Sequence, residues 1–225
     1  MRNYTTAQPS DPAVDFQLRP LLPILGFTLA YIVVASVYAA DRDNLEFLIY
    51  ILVMIILMFC VWLVHRRVHL SLGLLWALSV WGLAHMAGGL LVVPATLTLS
   101  GDTSVLYNLW LIPGLLKYDQ LVHAYGFGIT TLLCWQGISA AAAREGVRFR
   151  PSPGLLSLAA FAAMGLGALN EVIEFMASLL LAETNVGGYL NTGWDLVANG
   201  VGAIIAAIII RVRWRTNKSS RSGTG

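Results

Sequence analysis

Charge is what this chain has least of. Only 12% of its 225 residues are Asp, Glu, Lys or Arg, about half of the roughly 25% usual in a soluble domain. Such a sequence cannot clothe a water-facing surface. Cysteine is almost absent as well. Cys60 and Cys134 both lie inside apolar runs, so they read as small buried hydrophobes and not as a disulfide framework. There is no Walker loop, no His-Glu-x-x-His, no Gly-x-Ser-x-Gly and no Cys-x-x-Cys pair, which removes the best-marked nucleotide-hydrolase, zinc-protease, serine-hydrolase and dithiol chemistries. Residues 1–20 are polar and lack the basic-then-apolar order of a secretory signal, so the first apolar span is expected to be retained. Gly-interrupted spans do not recur in two matching halves, which counts against an inverted-repeat transporter.

What is present is apolar sequence, 57% of the chain. Six runs, each near the roughly 20 residues that cross a hydrocarbon core, fall at 21–40, 46–64, 70–93, 120–143, 154–182 and 194–213. The second is the cleanest, without a charge from Phe47 to Val64. The fourth to sixth carry polar residues, so a count that penalises charge gives five. The expected fold is all-α: one polytopic membrane bundle over residues 21–213, preceded by a cytoplasmic segment 1–20 and followed by a basic cytoplasmic tail 214–225.

Loop charges orient the bundle. With the amino terminus inside, twelve Lys and Arg residues fall on the cytoplasmic side and two, Arg42 and Lys117, on the other. That asymmetry places both termini in the cytoplasm. The basic run Arg211–Arg221 reads as an anchor on anionic lipid and not as a nucleic-acid arm. Residues 94–119 form the longest outer loop. Its stretch Leu106, Tyr107, Leu109, Trp110, Leu111 and Ile112 is expected to make a short interfacial helix over the outer mouth, with Tyr107 and Trp110 at headgroup level.

Against this apolar background, His85, Asp119, His123, Glu171, Glu174 and Asp195 stand out, accompanied by Asn170 and Asn199. Each buried charge costs roughly 2.5–3.5 kcal/mol even on a lenient scale. At 1.5 Å rise per residue, His85 lies about 13 Å and the two glutamates roughly 12–17 Å below the outer end. Asp119, His123 and Asp195 lie nearer that end, so all six share the outer half. Asp119/His123 and Asp195/Asn199 are spaced i, i+4, and Glu171/Glu174 i, i+3, so each pair shares one helix face. A carboxylate one turn before a histidine can orient its ring, and inward pairs on neighbouring helices build metal sites in bundles.

Mixed His and carboxylate ligands suit Zn, Mn or Fe better than Ca. His85, His123, Glu171, Glu174 and Asp195 are the expected ligands. Glu171, Glu174 and Asp119 are the candidate acid–base groups, and Asn170 and Asn199 would hold those side chains in place. A cation there could activate water against a lipid or lipid-linked ester or phosphate. Without one, a proton relay or acid–base pair is the alternative. The plainest alternative is interhelical hydrogen bonding that only fixes packing, worth about 0.6–2 kcal/mol per bond. Abundant glycines near these positions let helices approach closely, and a homodimer through one such face is a further alternative.

The run Tyr118-Asp119-Gln120-Leu121-Val122-His123, with Phe127, Asn170-Glu171-Val172-Ile173-Glu174, and Asp195-Leu196-Val197-Ala198-Asn199 with Gly202, resembles the VanZ-like membrane proteins over residues 118–205. His85-x-x-Gly88 and Glu171-x-x-Glu174 look closer to the YjdF-like branch. Where the commonest VanZ-like form often has Gln, this chain has Glu174. The resemblance implies a small helical bundle in a bacterial cytoplasmic membrane. It implies no reaction.

Overall fold

A computed structural model describes residues 19–94, 96–100, 103–181, 184 and 186–222, the side chains of 218–222 excepted. The reading of residues 1–18 as a cytoplasmic segment therefore lies outside the described residues.

Six long helices form the bundle: α1 Leu22–Ala40, α2 Leu45–Val68, α3 Leu72–Leu90, α4 Tyr118–Arg144, α5 Pro153–Leu180 and α6 Tyr189–Ser222. The expected spans differ from these mainly at their ends. Local chemistry sets several of those ends. Pro23 sits in the first turn of α1 and Pro153 in that of α5, where a missing N–H costs nothing. Asn44 caps α2 by accepting from the Phe47 N–H at 3.0 Å. His69, with φ of 54°, ends α2 in the left-handed region. α6 runs past position 213 without a break, carrying Arg211, Arg213 and Arg215 on helix.

Five of the helices are long and apolar enough to cross a membrane. The exception is α4, which explains itself by position. It packs against α2, α3, α5 and α6, so little of it meets lipid and polar side chains are tolerated. Large apolar residues such as Val34, Val37, Phe161 and Leu180 point outward instead, the expected inversion when the solvent is hydrocarbon. Two apolar clusters hold the first three helices. One gathers Ile32, Phe47, Ile51, Met54, Met86 and Leu90. The other joins Leu21, Ile24, Leu74 and Leu75 to Ile129 of α4.

The α4–α6 contact is the most extensive in the bundle. It depends on Gly202. A Cβ there would strike the Ala124 carbonyl of α4, so the two backbones meet only because the side chain is missing.

The stretch from Leu106 to Ile112 does not form the expected interfacial helix. A single 3-10 turn, Leu106–Asn108, is followed by strand β1 Trp110–Ile112, which pairs antiparallel with β2 Leu116–Lys117. Bridges Val92–Val105 and Leu99–Leu109 fold the rest of the segment back on itself. Pro113–Gly114 is the hairpin turn, with Gly114 at φ of 70°. Tyr107 is turned inward onto α3 and not out to headgroups. Its ring fills the space that a Cβ at Gly88 would take. This end of the bundle is called the hairpin end below. The opposite, basic end carries Arg66, Arg67, Arg144, Arg148 and Arg150, and there the Arg144 guanidinium donates to the Arg67 carbonyl.

Candidate functional site

Three helices deliver one buried polar layer near the hairpin end. α4 places Asp119 in its first turn and His123 one turn later. α5 supplies Asn170, Glu171 and Glu174, and α6 supplies Asp195 and Asn199. Asp195 and Asn199 are completely buried, His123 is 5% exposed and Glu171 8%. The i, i+3 and i, i+4 spacings did put each pair on one inward face.

His123 is the hub. Its Nδ1 lies 3.1 Å from the Asn199 amide oxygen and 3.8 Å from Glu171 Oε1. Its Nε2 lies 3.6 Å from Asp119 Oδ1. An amide oxygen only accepts, so Nδ1–H points at Asn199, and Nε2 is the nitrogen turned to Asp119. Two groups of ligand atoms form around this ring, each within 4.8 Å: Asp119, His123 and Asp195, and His123, Glu171 and Glu174.

The layer is rich in acceptors and poor in donors. Asn191 donates to Asp119 Oδ2 at 3.3 Å and to Asp195 Oδ2 at 2.6 Å. Asn170 donates to Glu174 Oε1 at 2.8 Å. Yet both oxygens of Glu171 and Oδ1 of Asp195 are buried with no hydrogen-bond donor among the described residues. Among the described residues Lys117 is the nearby cation, 3.8 Å from Asp119 Oδ2 and donating to the side-chain amide oxygen of Asn191. Two carboxylate charges about 5 Å apart repel by about 3 kcal/mol at an effective dielectric near 20. Among the described residues, four carboxylates of the layer and a fifth, Glu46, on the adjoining pocket wall stand against one lysine, which calls for more positive charge, from protons or from a cation.

His85 of α3 is not among these ligand groups. Its Nδ1 lies 2.6 Å from the Tyr107 hydroxyl, which donates to the His85 carbonyl at 2.9 Å. One hydroxyl proton cannot serve both, so His85 Nδ1–H donates to the phenol oxygen and Nε2 is the nitrogen without the proton. His85 does face the same polar pocket as Asp119 and Glu174, a space of about 50 Å³ walled on the hairpin side by Tyr107 and Asn108. Burial, with the charges of Asp119 and Glu174 nearby, pushes the Tyr107 phenol well above its usual pKa, so it stays a neutral donor.

Sequence reasoning missed three members of this site. Asn191 stands one helical turn before Asp195, a spacing that could have flagged it. Lys117, counted only as a loop charge, is 7% exposed and part of the layer. Tyr107 carried no sequence signal for its inward turn.

Fold and site together define a multi-pass helical membrane protein with a buried polar centre. The chain belongs to the family described as "Predicted membrane protein (DUF2238)", whose profile matches residues 21–216. That membership is consistent with the YjdF-like resemblance and does not show the VanZ-like one. No curated protein and no solved structure matches the chain.

Proposed function

We propose that the buried layer holds a divalent cation, Zn, Mn or Fe, and that the protein is a metal-dependent enzyme of the bacterial cytoplasmic membrane acting on a lipid or lipid-linked envelope substrate. One observation carries this reading: Asp119, His123 and Asp195 bring ligand atoms within 4.8 Å of one another, and Asp195 Oδ1 is buried there without a donor. Unpaired acceptors of this kind are costly and seldom kept without a ligand.

Asp119, His123 through Nε2, and Asp195 are the primary ligands in this proposal. Three protein ligands leave an open position, as catalytic zinc sites do. Asn199 fixes the ring by taking the Nδ1 proton, and Asn191 holds both aspartates. A cation there would lower the pKa of a bound water or polarise a phosphoryl or carbonyl oxygen. Glu171 and Glu174 are the acid–base groups beside it, with His85 Nε2 facing the same pocket. By the loop-charge asymmetry the hairpin end is extracytoplasmic, so the site opens toward the envelope.

A transmembrane relay is less well supported. It needs polar groups toward the basic end, and Gln136 there is occupied at the start of α3, accepting from the Ser71 N–H and donating to the Ser71 hydroxyl, both at 3.0 Å.

Metal content of the detergent-purified protein, measured by mass spectrometry, tests the proposal. Near-stoichiometric metal in the parent, lost in Asp195→Asn and retained in Glu171→Gln/Glu174→Gln, is the expected result. Absence of metal from the parent after growth in each candidate cation would sink it. A lower thermal stability of the two variants would then move the reading to a packing or assembly role.

A further inference from the structure

Two other spaces lie beside the polar pocket, and the three share walls. An apolar groove of about 150 Å³ runs between α1, α2 and α3 toward the basic end, bordered by Leu25, Met58, Val61 and Leu78. A small space of about 30 Å³ lies between it and the site. Met54, Leu57 and Trp81 line both the groove and this junction, and Tyr50, His85 and Glu174 line both the junction and the polar pocket. The wall changes character along the way, from carboxylates and histidine to hydrocarbon.

The hydroxyls inside the groove do not make it polar. Thr28 donates to the Ile24 carbonyl at 2.7 Å and pairs with Ser79. The groove is also open sideways, since Leu25 and Leu57 are each 41% exposed on the lipid-facing surface. An apolar chain can therefore enter from the bilayer without crossing water.

Length narrows the occupant. Glu46 lines the polar pocket and His65 the far end of the groove. Nineteen residues of α2 separate them, about 28 Å at 1.5 Å per residue. A hydrocarbon core is about 30 Å thick, so one leaflet's chains cover about half of it. The path is nearly twice that.

We propose that the substrate is an amphiphile with an anionic head and one linear hydrocarbon chain longer than a leaflet, of polyisoprenoid type. Its head lies among His85, Glu174 and Asp119, and its chain passes Leu57 and Trp81 into the α1–α3 groove. The anionic head rests on the metal reading above, because bare carboxylates would repel it. The chain path stands on the shape of the groove alone.

Native mass spectrometry of the full protein in detergent tests this with three probes: a long-chain polyprenyl phosphate, geranyl phosphate and dipalmitoyl phosphatidate. Leu57→Trp narrows the junction from a half-exposed position and should leave the fold intact. Ile56→Trp adds the same bulk on the neighbouring lipid-facing position, outside the groove. The long polyprenyl phosphate should bind at least tenfold more tightly than either other probe. Leu57→Trp should remove that advantage, Ile56→Trp should keep it, and both should keep the parent's metal content. Equal binding of all three probes, or equal behaviour of the two tryptophan variants, overturns the proposal. Chain-length preference in a protein that holds no metal would overturn only the metal reading and leave the chain path standing.

Discussion

The two halves of this bundle treat polar side chains in opposite ways. In α1–α3 the hydroxyls are settled locally, Thr28 donating to the Ile24 carbonyl at 2.7 Å and Ser36 to the Ile32 carbonyl at 2.8 Å, while Glu46 and His85 are turned to the polar pocket at the hairpin end. In α4–α6 the threonines behave the same way, Thr130 and Thr131 each donating to the carbonyl four residues back at 2.8 Å. The carboxylates beside them do not. Glu171 and Asp195 keep bare oxygens in a buried layer. A hydroxyl that returns to its own backbone is packing with a small polar correction. A buried carboxylate without a donor is a standing cost, and its concentration in one half locates the chemistry there. The other half contributes shape, a groove and a wall.

The sharpest way to break this comparison is at the seam that assembles the polar half. Gly202 meets the Ala124 carbonyl of α4 where a Cβ would stand, while Gly165 of α5 has nothing within 4 Å. Gly202→Ala must push two backbones apart and should cost about 2–3 kcal/mol or more. Gly165→Ala should gain up to about 1 kcal/mol by restricting the unfolded chain. Thermal unfolding in one detergent compares them directly. An unchanged midpoint for Gly202→Ala would mean that α4 and α6 do not touch at this point, and the layer they build would go with them.

How much of this could be read in the sequence depends on the range of the interaction. The spans are set by hydropathy, a local property, so Phe47 to Val64 announces α2 without help. The three polar pairs are set by helical spacing, again local, and the helices bring Asp119, His123, Glu171 and Asp195 together as that spacing suggests. The hairpin end is different. Leu106 to Ile112 has the apolar content of a short helix, and only pairing of Trp110 with Lys117 across the Pro113–Gly114 turn makes it a strand. Tyr107 is decided by a cavity at Gly88, a contact nineteen residues away that no periodicity encodes. His85 was grouped with the other ionisable residues by depth alone. Depth does not say which neighbour a ring faces, and it faces Tyr107 and the pocket rather than the His123 cluster.

A middle-sized effect is expected where the two halves are tied together. The Tyr107 hydroxyl binds the hairpin segment to His85 of α3 through two hydrogen bonds. Tyr107→Phe keeps the ring that fills the Gly88 space and removes only those bonds, a loss of about 1–1.5 kcal/mol. Amide exchange over residues 103–117 should accelerate about tenfold, since 1.4 kcal/mol is a factor of ten. The parent should show a pH limit that the variant lacks. The docked phenol's pKa is raised by burial, so docking is fully present below the free value of about 10 and is lost as pH rises above it, where the released phenol ionises. Exchange in the parent that is indifferent to the substitution would show that Tyr107 does not fasten this segment.

The smallest effect tests the claim that polar groups in the first half are only packing. Thr28→Val strips the Ser79 hydroxyl of its partner and should cost about 1 kcal/mol, the usual penalty for orphaning one side of a buried bond. Thr28→Val/Ser79→Ala removes both sides and should recover most of that loss, because only the Tyr31 hydroxyl beside the pair is left to find another partner. The double change should also leave metal content untouched. Recovery of this kind is what a local pair predicts. If the double variant stays as unstable as the single one, or loses metal, Thr28 and Ser79 are coupled to the polar layer, and the division between a shaping half and a reacting half fails at the point where it looks safest.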